Sequence, residues 1–258
     1  MRYSSFLTAL LIFHPVGFPI VAMRPETNAA FDHYIQLTEK QMEQNVRNGR
    51  FLVLGRSVED KAPVEMHTLE RGKPIRVPEG QIHHWMGRVF LKGATIQKVR
   101  STMRDYDNYK NIYHPDVIES KAIHHEGDDY DIFLRLYKKQ FFTTMFNSEY
   151  HVRYESPDPR HLLIYSRSTR IAEVKDPDNP DKGEYSLTAN GGLLWRLNSY
   201  WRFEEGDGGV YAECEAISLS RDVPALLGAL AGPFIKRFPA ESLRNTLAYT
   251  ARAVRAMP

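Results

Sequence analysis

The chain of 258 residues contains one cysteine, Cys214. That scarcity excludes an internal disulfide framework, a cysteine-rich zinc site and a CxxC redox motif. An excess of one charge is also missing: 34 basic against 32 acidic residues leave a formal net charge of +2. A dedicated nucleic-acid binder would carry a strongly basic footprint, so nucleic acid is not an expected partner. The sequence has no GxSxG nucleophile elbow, no GxxxxGK[ST] phosphate loop, no HExxH and no GxGxxG. The chemistries those motifs carry therefore have no local signature here.

The N-terminus, "MRYSSFLTALLIFHPVGFPIVAM", has Arg2 as a short basic region, an apolar run from Phe6 to Phe13 and the small residue Ala22 at a cleavage-like position. Pro15, Gly17 and Pro19 interrupt it well short of the about 20 apolar residues that a spanning helix needs. Residues 1–22 are expected to be a signal peptide. The rest, 24–258, is expected to form one exported domain, periplasmic or secreted, monomeric, with 24–80 an N-terminal helix and hairpin and 81–258 the core.

Apolar residues recur at Phe31, Tyr34, Ile35, Met42 and Val46, and Gly49 follows, which predicts an amphipathic helix with a glycine cap. "FLVLGRSV" and "PVEMHTLER" look like a hairpin, followed by the turn-rich "RGKPIRVPEG" and a longer strand over Gln81 to Leu91. "ATIQKVRSTMRDYDNYKNIY" reads as a helix and then a shorter one. From Asp116 to Ala172 the period becomes two, giving four strands, and two more follow over Ser186 to Glu204 and Val210 to Arg221. The closing segment keeps a helical period at Leu226, Leu230, Phe234, Leu243, Leu247 and Val254, with Pro233 and Pro239 expected to break it.

In "SYWRFEEGDGGVYAECEAISLSRDVP", pairing Glu205 with Val210 sets Arg202 opposite Glu213, Tyr200 opposite Glu215, Trp201 opposite Cys214 and Phe203 opposite Ala212. Cys214 and its flanking glutamates then point to opposite faces and form no joint site. A thiol among Trp201, Ala212 and Ala216 lacks the electropositive setting that reactivity needs, and reads as a small core or cavity-wall residue. His83 and His84 are neighbours in a strand and face opposite sides, so that spacing does not hold a metal. "HHEGDDYD" reads as a solvated hairpin turn, and "DPDNPDKGE" as a surface loop.

The order of elements, "GRVFLKGATIQKVRSTMRDYDNYKNIYHPDVIESKAI" and "SLSRDVPALLGALAGPFIKRFPAESLRNTLAYTARAV" resemble the START-like, or helix-grip, superfamily of lipid-transfer domains, coenzyme Q-binding proteins and polyketide cyclases. The resemblance implies an α+β helix-grip fold, with a curved antiparallel sheet of about nine strands wrapped on a long C-terminal helix and an apolar tunnel between them. It implies binding of a lipid, isoprenoid or polyketide without a cofactor or metal. Trp201, Phe203, Cys214, Leu230 and Phe234 would line that tunnel. Arg202 and Glu213 have two open placements, as an ion pair on a wet convex face or as an anchor for an anionic head inside the tunnel. Arg135 has the same two options, exposed beside Phe133 and Tyr137 or facing the tunnel.

A cyclase-type enzyme is the alternative, with Arg135, Tyr137, His151 or Tyr165 converging from separate strands. "ALLGALAGPFIKRF" suggests a lid with transient contact to a membrane surface, hinged at Gly228, Gly232 and Pro233. Export is checked by expressing the full-length chain, fractionating the cells and sequencing the mature N-terminus, which is expected to start just beyond Ala22.

Overall fold

The computed structural model describes residues 23–56, 64–68, 73–139, 143–185, 192–222 and 225–257, and the side chains of these except 225–238. The expected signal segment, residues 1–22, and the side chains of Leu230 and Phe234 lie outside the described residues.

Helix α1 (Pro25–Arg47) opens with a proline at its first position, where no intrahelical N–H is needed. It ends at Asn48, and Gly49 follows with φ 72°, a left-handed conformation that suits a residue without a Cβ. Three strands come next, β1 (Glu65–Thr68), β2 (Ile75–Val77) and β3 (Gly80–Lys92). Helix α2 (Ile96–Arg104) is capped by Thr95, whose hydroxyl accepts the Lys98 amide, and a short α3 (Tyr109–Ile112) follows. Then come β4 (Val117–Glu126), β5 (Asp129–Lys139), β6 (Thr143–Glu155), β7 (His161–Glu173), β8 (Leu194–Gly206) and β9 (Gly209–Arg221). The chain closes with α4 (Ala225–Ala256). All nine strands form one curved antiparallel sheet in the order β1-β3-β9-β8-β7-β6-β5-β4, with β2 also on β3. This is the expected α+β helix-grip architecture.

Three local expectations are corrected. Residues 51–56 form no strand, and β1 pairs with β3 instead of with them, because the Val53 and Leu54 amides donate to the Glu213 carboxylate at 2.8 and 2.7 Å. The turn-rich stretch holds β2, paired Ile75 to Ile82. Helix α4 runs unbroken through Pro233 and Pro239. A proline inside a helix removes one backbone hydrogen bond. The far half of α4 is held to the sheet by buried Leu243, Leu247, Ala251 and Val254.

The hairpin register is the expected one, from Glu205 opposite Val210 to Arg202 opposite Glu213. Its two-residue turn has φ of 53° at Asp207 and 75° at Gly208, the doubly positive geometry that matches strand twist. Both faces of this part of the sheet are covered. Helices α2, α3 and α4 bury the inner face around Val99, Met103, Trp201, Phe203 and Leu247. On the outer face, α1 packs Phe31, Ile35 and Met42 on Ile82, Tyr200, Ile217 and Leu219.

The outer face therefore is not the wet one expected for Arg202 and Glu213, which are 2% and 1% exposed. Arg202 does not pair with Glu213 either. Its Nη2 donates to Glu215 Oε2 at 2.7 Å, and the other Glu215 oxygen lies 2.7 Å from His84 Nε2. His84 Nδ1 lies 2.7 Å from the Tyr34 hydroxyl on α1. Nε2 donates to the Glu215 carboxylate, which has no proton to give. Glu213 serves residues 51–56, and Arg88 binds the same segment through the Leu54 carbonyl at 2.6 Å.

Burial would push the Glu215 carboxyl up, yet the His84 hydrogen bond and the Arg202 guanidinium together hold it below the ordinary carboxylate value. For Glu213 burial wins over the two amides, and its carboxyl is raised. A folded pKa below the unfolded one means that Glu215 stabilises the fold above the unfolded carboxylate pKa of about 4.3, and that this is lost as pH falls through the folded value.

Two substitutions test this packing. Arg202→Met leaves Glu215 buried without its cation, and is expected to cost about 3–5 kcal/mol near neutral pH, less in acid as Glu215 takes up a proton. Urea unfolding near neutrality and at about pH 4 measures both, and an equal penalty at the two would contradict the assignment. A Cβ on Gly87 would meet Leu247 Cδ1 at 2.5 Å and Met66 Sδ at 2.9 Å. Gly87→Val is therefore expected to lift α4 from the sheet and to lower stability by about 1–3 kcal/mol, read as a fall in the urea midpoint.

Candidate functional site

Between the inner face of the sheet and the helices lies a cavity of about 300 Å³. Strand alternation builds its wall: Ile132, Leu134 and Leu136 from β5, Val152 from β6, Ile164 from β7, Trp201 from β8 and Cys214 from β9 all point the same way. Leu243, Thr246 and Tyr249 of α4 line it from above.

The end nearest the β8–β9 turn is filled. Phe203, 0% exposed, is opposite Ala212 and Leu162 and stacks on Trp201 with ring centroids 5.2 Å apart. Trp201 and Cys214 thus reach the cavity as expected, whereas Phe203 sits one row deeper and supports Trp201 from behind. The Cys214 thiol is driven well up by burial and stays protonated, as befits a wall residue.

A second side of the cavity is built from tyrosines. Tyr106, Tyr109 and Tyr113 enter from the segment after α2. Their hydroxyls are satisfied: Tyr109 donates to the Met103 carbonyl at 2.7 Å, and Tyr106 and Tyr154 share a 2.6 Å contact. Tyr154 donates in turn to the same Met103 carbonyl, so the shared proton between the two phenols comes from Tyr106. Tyr113 lies 3.0 Å from the Thr250 hydroxyl. Burial raises all of these phenols, Tyr113 to about 12, so they remain neutral and act as structural groups.

At the far end the wall becomes polar. Ser166, Ser199, Ser218, Ser220 and His83 line the cavity there, and His83 Nε2 is 3.1 Å from Ser220 Oγ. Burial pushes the His83 imidazole down, toward the neutral form. Asp116 and Lys138, ion-paired to each other, also line the wall, and Asn245 of α4 donates to Asp116 at 3.2 Å. Arg221 lines it beside Glu173, whose carboxyl is raised by burial and accepts the Leu193 amide at 2.8 Å. No group of three or more His, Cys, Asp or Glu side chains among the described residues is placed to hold a metal ion.

The charged residues expected as alternatives for the site are elsewhere. Arg202 and Glu213 lie on the opposite face under α1 and residues 51–56, so neither anchors a head group in the cavity. Arg135 is on the outer side of β5, where it pairs with Glu119, donates to Asn147 at 2.8 Å and sits over the Phe133 ring. Tyr137, His151 and Tyr165 share that outer parity and do not line the cavity, so the four residues proposed for acid–base work do not converge. His151 instead meets Asp129 and Asp131. His83 and His84 do face opposite sides. The serines were missed as site residues although their signal was available: Ser199 has the parity of Trp201, and Ser218 and Ser220 that of Cys214.

No protein-family model matches the chain, and no curated protein matches it. Among solved structures it is similar to human STARD10, with 11% identity and a TM-score of 0.55 over 83% of this chain and 79% of that one. A STAR-related lipid transfer protein from Xanthomonas axonopodis matches at 15% identity and a TM-score of 0.49, over 75% of this chain and 99% of its own. The Zhui aromatase/cyclase from Streptomyces sp. R1128 follows at 12% and 0.45, over 67% and 94%. Identities this low speak to fold alone, and the last two similarities are too loose to add to it. The nine-stranded sheet closed on α4, together with the likeness to STARD10, gives the chain the helix-grip fold of START-like proteins.

Proposed function

We propose that this protein binds or carries one apolar small molecule, of the lipid, isoprenoid or polyketide kind, in the cavity between the sheet and α4. The observation that carries the proposal is the cavity itself: about 300 Å³ lined by Trp201, Ile132, Leu134, Val152, Ile164 and Leu243. Interiors are otherwise close-packed, and an apolar void of this size forgoes contacts that a ligand would restore. A filled core that works only through a surface partner fits this geometry poorly. A cyclase is the weaker alternative, because the cavity's phenols and thiol are held protonated and Asp116 and Lys138 neutralise each other. Export, and transient contact of the first half of α4 with a membrane surface during loading, complete the proposal.

Mass spectrometry of an organic extract of the purified protein is expected to show one class of apolar molecule, and the extracted protein is expected to brighten diphenylhexatriene. Ala216→Trp places an indole in the cavity and should weaken that probe by at least about tenfold while the fold is kept, as judged by circular dichroism. Protein that is repeatedly empty and does not brighten the probe, or a variant that binds it unchanged, would overturn the proposal.

A further inference from the structure

The polar end of the cavity specifies more than an apolar guest. Ser166 on β7 and Ser199 on β8 are direct cross-strand partners, so their side chains stand side by side on the inner face. Ser199 is opposite Ala216 on β9, which places Ser218, two residues along the same face, roughly 7 Å away on the diagonal. Ser218 in turn is opposite His83 on β3. Four strands thus contribute to one hydroxyl-and-imidazole patch. The hydroxyls of Ser166, Ser199 and Ser218 have no hydrogen-bond partner among the described residues, and Ser218 is only 8% exposed. His83, 5% exposed, uses Nε2 on Ser220 and leaves Nδ1 without a partner among the described residues.

Unpartnered polar groups that face a cavity mark where a ligand's polar atoms can go. Resting on the ligand-binding function proposed above, we infer that the ligand carries a hydroxyl group, seated between Ser199 and Ser218 in this patch, with its hydrocarbon body along Trp201 and Ile164. A hydroxyl both donates and accepts, as does serine, so one such group can bridge the Ser199 and Ser218 hydroxyls. Of the charges at this cavity among the described residues, Lys138 is bridged to Asp116, whereas Arg221 makes no ion pair and its Nε is buried without a partner, so the carboxylate probe below is the rival to the alcohol.

The test uses the full mature protein and a matched set of pyrene-labelled probes, an alkane and the alcohol and carboxylate of the same chain length. Wild-type protein is expected to bind the alkane well and the alcohol better. The Ser199→Ala, Ser218→Ala double variant is expected to lose roughly tenfold in affinity for the alcohol and to keep alkane affinity within about twofold, the worth of one or two hydrogen bonds in a desolvated site. Alkane binding also reports that the variant is folded. Alcohol affinity that is unchanged, or that falls in step with the alkane's, would overturn the inference and leave the serines as hydration sites, as would a wild-type preference for the carboxylate. If the alkane does not bind wild-type protein, the ligand-binding function falls as well; if it binds and only the alcohol effect is missing, the function stands and the hydroxyl inference alone is lost.

Discussion

The register of the β8–β9 hairpin sorts the chemistry of the whole domain. With Glu205 opposite Val210, every second residue turns inward, and Trp201, Ser199, Cys214 and Ser218 become cavity wall while Arg202, Glu213 and Glu215 turn outward. A slip of one residue would exchange the two sets, placing three charges in an apolar cavity and an indole among carboxylates. The tight turn at Asp207 and Gly208 fixes that register locally, and strands β3 and β7 on either side inherit it through their own pairings.

Turning the charges outward did not put them in water. Helix α1 and residues 51–56 close over them, and the buried ions persist because each finds partners: Glu215 has Arg202 and His84, and Glu213 has two backbone amides. Taking such groups from water costs several kcal/mol each before any contact is made. The arrangement therefore contributes geometry more than stability. It orients α1 through Tyr34 and His84, and it explains why residues 51–56 can lie on the sheet without being a strand of it. Glu39 extends the same logic along α1, accepting from Tyr200 and Arg167 at 2.8 and 2.7 Å.

On the inner face the polar groups fall into two kinds. The tyrosine side is self-satisfied, its phenols bonded to one another, to Met103 and to Thr250, so it shapes the cavity without asking anything of a ligand. The serine side is open. That difference, satisfied against unsatisfied, is what distinguishes a wall from a recognition surface when both contain hydroxyls. The tyrosines and Cys214 are held far from ionisation by desolvation.

Periodicity alone determined a good part of this: the helix before Gly49, the meander from β4 to β7, the hairpin register, the opposite orientations of His83 and His84, and the reading of Cys214 as a wall residue. Each depends on neighbours in sequence or on a single turn. The sequence did not determine what lies over a face. Arg202 and Glu213 look like a solvated pair until α1, far away along the chain, is seen to cover them, and "FLVLGRSV" looks like a strand until Glu213 is seen to take its amides. Phe203 and Trp201 share a parity, yet only the depth of packing separates a filled row from an open one. Burial and the pairing of charges are sums over distant segments, and only the tertiary structure brings those segments together.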